Sequence, residues 1–140
     1  MNYQAKILNG PFTEGELEMV LRAYPEKREN ILFYNSANYF QISKVYYKEL
    51  LMGYVIFFLG YHSLESNDVL IEDIGFFRNE EVLKPFMTYL LDKVKRHKVP
   101  TFPMEHVYYD PNKFGENYLE IFESLGFMQL EKKSCRGFLS

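Results

Sequence analysis

The chain has no tryptophan and a single cysteine, and no run of apolar residues approaches the roughly 18 that a membrane-spanning helix requires. With Cys135 alone an intrachain disulfide is impossible, which excludes a small secreted scaffold held together by bridges. The opening residues, Met1 to Lys6, lack the apolar core of a secretory leader, so a cytoplasmic protein without membrane attachment is the expectation. Basic excess is missing too: sixteen Lys and Arg stand against nineteen Asp and Glu, a net charge of −3, and general nucleic-acid binding is not expected. His62, His97 and His106 lack the close His/Cys/Asp spacing of a metal site, so no metal is expected. No repeat, low-complexity tract or Gly/Ser linker interrupts the 140 residues, which are read as one domain, 1–140.

What is present is apolar and aromatic. Hydrophobic residues make up 47% and charged residues 25%, a globular balance. Thirteen Phe and twelve Tyr bring the aromatic share to 18%, and because Tyr carries a polar end, an aromatic-lined groove or homodimer face is expected.

Periodicity then divides the chain. Residues 5–8 read as a strand closed by the turn Asn9-Gly10-Pro11. Thr13 caps a helix with Leu17, Val20, Leu21 and Tyr24 at helical spacing, and Pro25 stops it. A second short helix falls within 29–40. Two strands follow, 42–48 and 51–59, with a hairpin through Glu49-Leu50. Residues 69–77 carry apolar side chains on both parities and predict a strand covered on both faces. Leu83, Phe86, Met87, Leu90, Leu91 and Val94 mark a helix over 80–98 whose basic last turn, Lys95-Arg96-His97-Lys98, suits its dipole. A strand over 101–109, a last helix with Tyr118, Leu119, Phe122 and Leu125 inward and Gly126 at its end, and a closing strand from Met128 complete the order. Strand 69–77, helix 80–98 and strand 101–109 form a unit that should be parallel and right-handed.

With Ile71-Glu72-Asp73-Ile74 on the fourth strand and Phe122-Glu123-Ser124-Leu125-Gly126-Phe127 closing the last helix about fifty residues later, this order resembles the GNAT family of acyl-CoA-dependent N-acetyltransferases from about Tyr3 to Lys133. The resemblance implies an α/β (α+β) fold: a mixed, mostly antiparallel sheet with helices on both faces and one parallel strand–helix–strand unit. It implies acetyl-CoA as cosubstrate, lying in the V between the fourth and fifth strands with its pantetheine paired to backbone at Ile74, Gly75 and Phe76. An amine-bearing small molecule or protein would accept the acetyl group. Glu72 takes the position of a general base, a role the chemistry requires because an ammonium is not a nucleophile. The alternative for Glu72 is a structural carboxylate paired to a Lys or Arg. Asp73, its neighbour on the strand, is expected on the opposite face. Asn117 resembles an Asn before the last helix that touches the cofactor, or else caps that helix.

The chain departs from the family pattern twice. The stretch where the phosphate loop belongs, Arg78-Asn79-Glu80-Glu81-Val82-Leu83-Lys84-Pro85, contains no glycine, which leaves Arg78 and Lys84 as side-chain contacts to a pyrophosphate and sets Glu80 and Glu81 against it. Phe122, placed by the resemblance among the cofactor-binding residues, stands where the family commonly has a Tyr that protonates the leaving thiolate; Tyr118, one turn back, or Tyr108 or Tyr109, is the substitute, or the thiolate leaves unassisted. Two functions follow: an N-acetyltransferase, or a degenerate GNAT-fold binding protein that has lost CoA and uses its aromatic cleft for a protein or small-ligand partner.

Overall fold

The computed structural model describes residues 5–59, 68–96 and 106–130. His62, His97, Lys98, the 101–105 part of the fifth strand and Cys135 lie outside them. Thr13 and Glu16 begin the first helix: the Thr13 hydroxyl accepts from the Glu16 N–H (3.2 Å) while a Glu16 carboxylate oxygen accepts from the Thr13 N–H (2.8 Å), a complete capping box. From β1 (Ala5–Asn9) the chain runs through α1 (Glu14–Ala23), a 3-10 turn (Pro25–Lys27) and α2 (Arg28–Ser36) into β2 (Phe40–Tyr47) and β3 (Leu50–Leu59). Then come β4 (Val69–Phe76), a 3-10 turn (Glu80–Val82), α3 (Leu83–Lys95), β5 (Val107–Tyr109), a further 3-10 turn (Pro111–Lys113), α4 (Glu116–Ser124) and β6 (Met128–Gln129).

The strands form one sheet in the order β1-β2-β3-β4-β5-β6. β1 to β4 pair antiparallel, and β4 pairs parallel with β5, Val69 facing Val107 and Ile71 facing Tyr109. The expected parallel unit is therefore present. It is not alone, because β5 and β6 are also parallel. The cause is the same: α4 fills the connection as α3 does before it, and a helix-length crossover returns the next strand in the same direction. The first hairpin turns at Lys48-Glu49, one residue earlier than expected, with both at positive φ (50° and 67°). A two-residue turn of that kind matches the twist of the flanking strands, and its geometry outweighs the modest cost of φ > 0 in Lys and Glu.

Each face of the sheet has its own core. On one, Val55, Ile71, Ile74 and Phe76 meet Met87, Leu90, Leu91 and Val94 of α3 and Ile121 and Phe122 of α4. On the other, Ile42, Tyr54 and Ile56 meet Phe12, Val20 of α1 and Ile31 of α2. Helix α4 ends as its sequence indicates: Gly126 at φ 77° lets the Phe127 N–H reach the Phe122 carbonyl (2.9 Å) and its own N–H reach that of Glu123 (3.1 Å), a Schellman motif. The aromatic surplus gathers partly around Phe33, Tyr39, Phe40 and Phe58, where Phe33 and Tyr39 remain about half exposed.

Beneath α1 lies a buried ion pair. The Lys44 ammonium donates to Glu16 (2.9 Å) and to the Pro11 carbonyl (3.0 Å), the Tyr46 hydroxyl donates to the second Glu16 oxygen, and the Glu16 and Lys44 side chains are 8% and 5% exposed. Burial pushes the Glu16 carboxyl up, but the hydrogen bonds from Tyr46, Lys44 and the Thr13 N–H, with the Lys44 charge, outweigh it and hold the group below its ordinary value of 4.5. A carboxyl depressed in the folded state stabilises the fold above its unfolded pKa, and that contribution fades as pH falls through the folded value. Glu16→Gln should accordingly cost about 3–5 kcal/mol at pH 7 by leaving Lys44 buried without its counter-charge, and should flatten the acid side of the stability profile. Urea unfolding across pH 3–7 measures both; a wild-type acid limb kept unchanged in the variant would contradict this account.

Candidate active site

Strict alternation along β4 would place Glu72 and Asp73 on opposite faces, as the sequence suggested. The register says otherwise. Ile56 pairs with Asp73 and Phe57 with Ile71, so Glu72 is an extra residue, a β-bulge. Ile71 and Ile74 consequently share the α3 core, and Glu72 and Asp73 both face α2. They line a half-open cavity of about 160 Å³ together with Lys27, Asn30, Tyr34 and Lys113. That is below the usual drug-sized range of roughly 300–1,000 Å³ and suits a small molecule or the end of a larger one.

Each carboxylate has a lysine. Lys27 Nζ stands 2.8 Å from Asp73 Oδ1, and Lys113 Nζ stands 3.4 Å from Glu72 Oε2. The Tyr54 hydroxyl donates to Asp73 (2.6 Å) and the Tyr34 hydroxyl to Glu72 (3.4 Å). Burial first, then the charges of Glu72 and Asp73, push the Tyr34 phenol up to about 12. Burial and Asp73 push Tyr54 far higher. Tyr118 is likewise raised, by burial and then by its neighbours Tyr24, Asp73 and Glu80, so all three phenols are protonated at neutral pH.

Past Ile71, β4 pairs only with β3. Because the Phe77 N–H bonds back to the Met52 carbonyl on β3 (2.8 Å), the N–H and C=O of Phe76 point the other way, into the opening beyond β5. The Tyr24 hydroxyl takes both: it accepts from the Phe76 N–H (2.9 Å) and donates to the Phe76 carbonyl (2.8 Å). Lys27 donates to the Ile74 carbonyl (3.2 Å) and lies 4.4 Å from the centre of the Tyr24 ring. The Phe76 N–H and C=O and the Ile74 C=O thus face the opening, with Tyr24 and Lys27 seated on them, whereas the backbone of Gly75 lies on the β3 side of the strand. Gly75 belongs to the same arrangement, since a Cβ there would lie 2.1 Å from the Tyr54 ring and 2.9 Å from that of Tyr24.

The remaining expected residues fall unevenly. Arg78 is half-buried and donates to the Phe77 carbonyl (3.2 Å), Lys84 is exposed in the first turn of α3, and Glu80 and Glu81 are exposed in the turn before it. Asn117 is exposed in the first turn of α4; Gly115 is the cap residue, so Asn117 does not cap the helix. Phe122 is a correction: its side chain has no exposed surface and packs on Tyr109, Phe114 and Phe127, so it is a core residue without access to a cofactor. Tyr109, 3% exposed against the same ring, is removed from the proton-donor candidates, whereas Tyr108 and Tyr118 are half-buried. Among the described residues, no three His, Cys, Asp or Glu side chains gather as a metal site, and no helix is long and apolar enough to cross a membrane.

Tyr24, Lys27, Asn30, Tyr34 and Lys113 were not singled out from the sequence. Lys27, Asn30 and Tyr34 follow an i, i+3, i+7 spacing that places polar groups on one side of α2, a signal that was available; Lys113 sits in a turn and left none.

No family model matches the chain, and no curated protein matches it. Solved structures do. An aminoglycoside 6′-N-acetyltransferase from Acinetobacter baumannii superposes with a TM-score of 0.62 at 13% identity, over 91% of this chain and 94% of the other. NAA60 from Arabidopsis thaliana, in complex with acetyl-CoA, gives 0.62 at 13% identity over 86% and 84%. An aminoglycoside acetyltransferase from an uncultured soil metagenomic sample, in complex with sisomicin, gives 0.60 at 14% over 87% of each. The chain has the GNAT fold. In a GNAT sheet built this way the close stacking of Tyr54 and Tyr24 on Gly75 is a steric requirement, and Gly75→Ala should lower stability by about 3 kcal/mol through overpacking. Denaturant unfolding tests it, and a loss under about 0.5 kcal/mol, the range of ordinary surface changes, would show that the rings yield freely.

Proposed function

We propose that this GNAT-fold protein is an N-acetyltransferase that moves an acetyl group from acetyl-CoA to an amine held in the cavity of Glu72 and Asp73. The observation that carries the reading is the β4 bulge, which sets two carboxylates side by side on the cavity wall where β4 parts from β5. Acetyl-CoA supplies the thioester carbonyl that the amine attacks. Glu72 receives the proton of the bound ammonium, after which the nitrogen lone pair is free to react. Asp73, fixed by Tyr54 and Lys27, stays in its own ion pair beside Glu72 on the cavity wall. Tyr118, kept protonated, donates a proton to the departing sulfur. The aligned Phe76 N–H and C=O suit a pantetheine amide once the Tyr24 hydroxyl withdraws, and Arg78 and Lys84 are the cations available to a pyrophosphate.

A second reading has its own support. A slot filled by Tyr24 and Lys27, beside a phosphate stretch with two glutamates and no glycine, fits a binding protein that no longer takes CoA. Tyr24→Phe separates the two. If pantetheine competes with the Tyr24 hydroxyl for Phe76, its removal should raise CoA affinity about tenfold, the scale of one or two net hydrogen bonds. Calorimetry that detects no CoA binding in either the wild type or Tyr24→Phe favours the binding protein.

For the enzyme, Glu72→Gln should leave the fold intact and lower the acetylation rate at neutral pH by about 10²–10⁴-fold. A rate within a few-fold of wild type on a substrate that is turned over assigns Glu72 a structural role.

A further inference from the structure

The cavity is balanced in charge, and the two pairs that balance it differ. Lys27 is locked: besides Asp73 it donates to the Ile74 carbonyl, lies against the Tyr24 ring, and its side chain is 29% exposed. Among the described residues Lys113 pairs with Glu72 alone, at 3.4 Å, and its side chain is 47% exposed at the cavity rim. Asp73 is therefore neutralised by a partner that stays. Glu72 is neutralised by one that is free to turn away.

An amine that enters and docks on Glu72 displaces Lys113. It brings a third positive charge into a cavity with two carboxylates, and the Lys113 ammonium loses its counter-charge. A plain amine or a diamine leaves that excess uncompensated. An anionic group on the same molecule cancels it, provided it reaches Lys113 while the amine rests on Glu72. Since the two side chains start 3.4 Å apart, amine and anion must be separated by only a few bonds.

We propose that the ligand of this cavity is a small zwitterion, an amine carrying a carboxylate or similar anion a few bonds away, with Glu72 receiving the ammonium and Lys113 the anion. The inference rests on the assignment of the cavity as the amine site and adds the substrate class. Asn30 and the Tyr34 hydroxyl, on the α2 wall, supply neutral hydrogen-bonding groups that discriminate little by charge. Selectivity comes from Lys113, which attracts the anion and repels a second ammonium.

The test is calorimetric titration of the full chain at pH 7 and low salt with three probes of equal length: β-alanine, propylamine and 1,3-diaminopropane. β-Alanine should bind about tenfold or more tightly than either, the scale of one charge-assisted hydrogen bond. Lys113→Gln should abolish that advantage while leaving propylamine affinity equal or improved, and Lys113→Arg should keep most of it. Because Lys113 is half exposed, both variants should fold, and circular dichroism checks this. The proposal is overturned if the diamine or propylamine binds as tightly as β-alanine, if Lys113→Gln weakens all three equally, or if none binds. Acetyl transfer is scored separately. Selective β-alanine binding without turnover supports the zwitterion site and removes the acetyltransferase reading, whereas turnover of the diamine without zwitterion preference does the reverse.

Discussion

One extra residue in β4 decides how the cavity wall is built. Without the bulge at Glu72, alternation would send either Glu72 or Asp73 into the apolar layer against α3, where a carboxylate without partners is prohibitively costly. With it, Ile71 and Ile74 both enter that layer and both acids face α2. The bulge also coincides with the end of pairing to β5, so the same short segment opens the sheet and lines the opening with charge. Bulges recur beside functional sites because they re-aim side chains at little cost to the rest of the ladder.

Most of the architecture was legible in the chain because its signals are local. The i, i+3, i+4 apolar spacing of α3, the Thr13 cap of α1 and the glycine end of α4 each depend on a few neighbouring residues, and each is found where the sequence puts it. The second parallel pair and the Lys48-Glu49 turn were missed for want of a local mark: one follows from a crossover, the other from strand twist. The site was legible only in part. Glu72 stands in the cavity, but the placing of Asp73 failed because a bulge leaves no trace in hydrophobic alternation when Ile, Glu, Asp and Ile read equally well in either register. Tyr24 reads in the sequence only as part of a helix face, because its hydroxyl's partners lie 52 residues away.

The chain joins two features that pull in different directions. Its GNAT sheet presents backbone groups in the orientation that an extended ligand would use, and its own tyrosine satisfies them. A sheet edge left open in the middle of a fold exposes unpaired N–H and C=O groups to any passing strand. A side chain that closes the edge removes that liability while remaining displaceable, since a hydroxyl makes the same two bonds as a peptide unit with a fraction of the contact.

The position of that hydroxyl is set far from where it acts. Glu16, near the start of α1, is bound at once to its own helix cap, to Lys44 and to Tyr46, whereas Tyr24 closes the other end of the helix. A helix of ten residues is a rod about 15 Å long. Two of those contacts, from Lys44 and Tyr46 on β2, tie that end of the rod to the sheet. Withdrawal of Tyr24 therefore needs no movement of that anchored end: a turn of its own side chain, or a change at the Pro25 end of the rod, takes the phenol out of its slot.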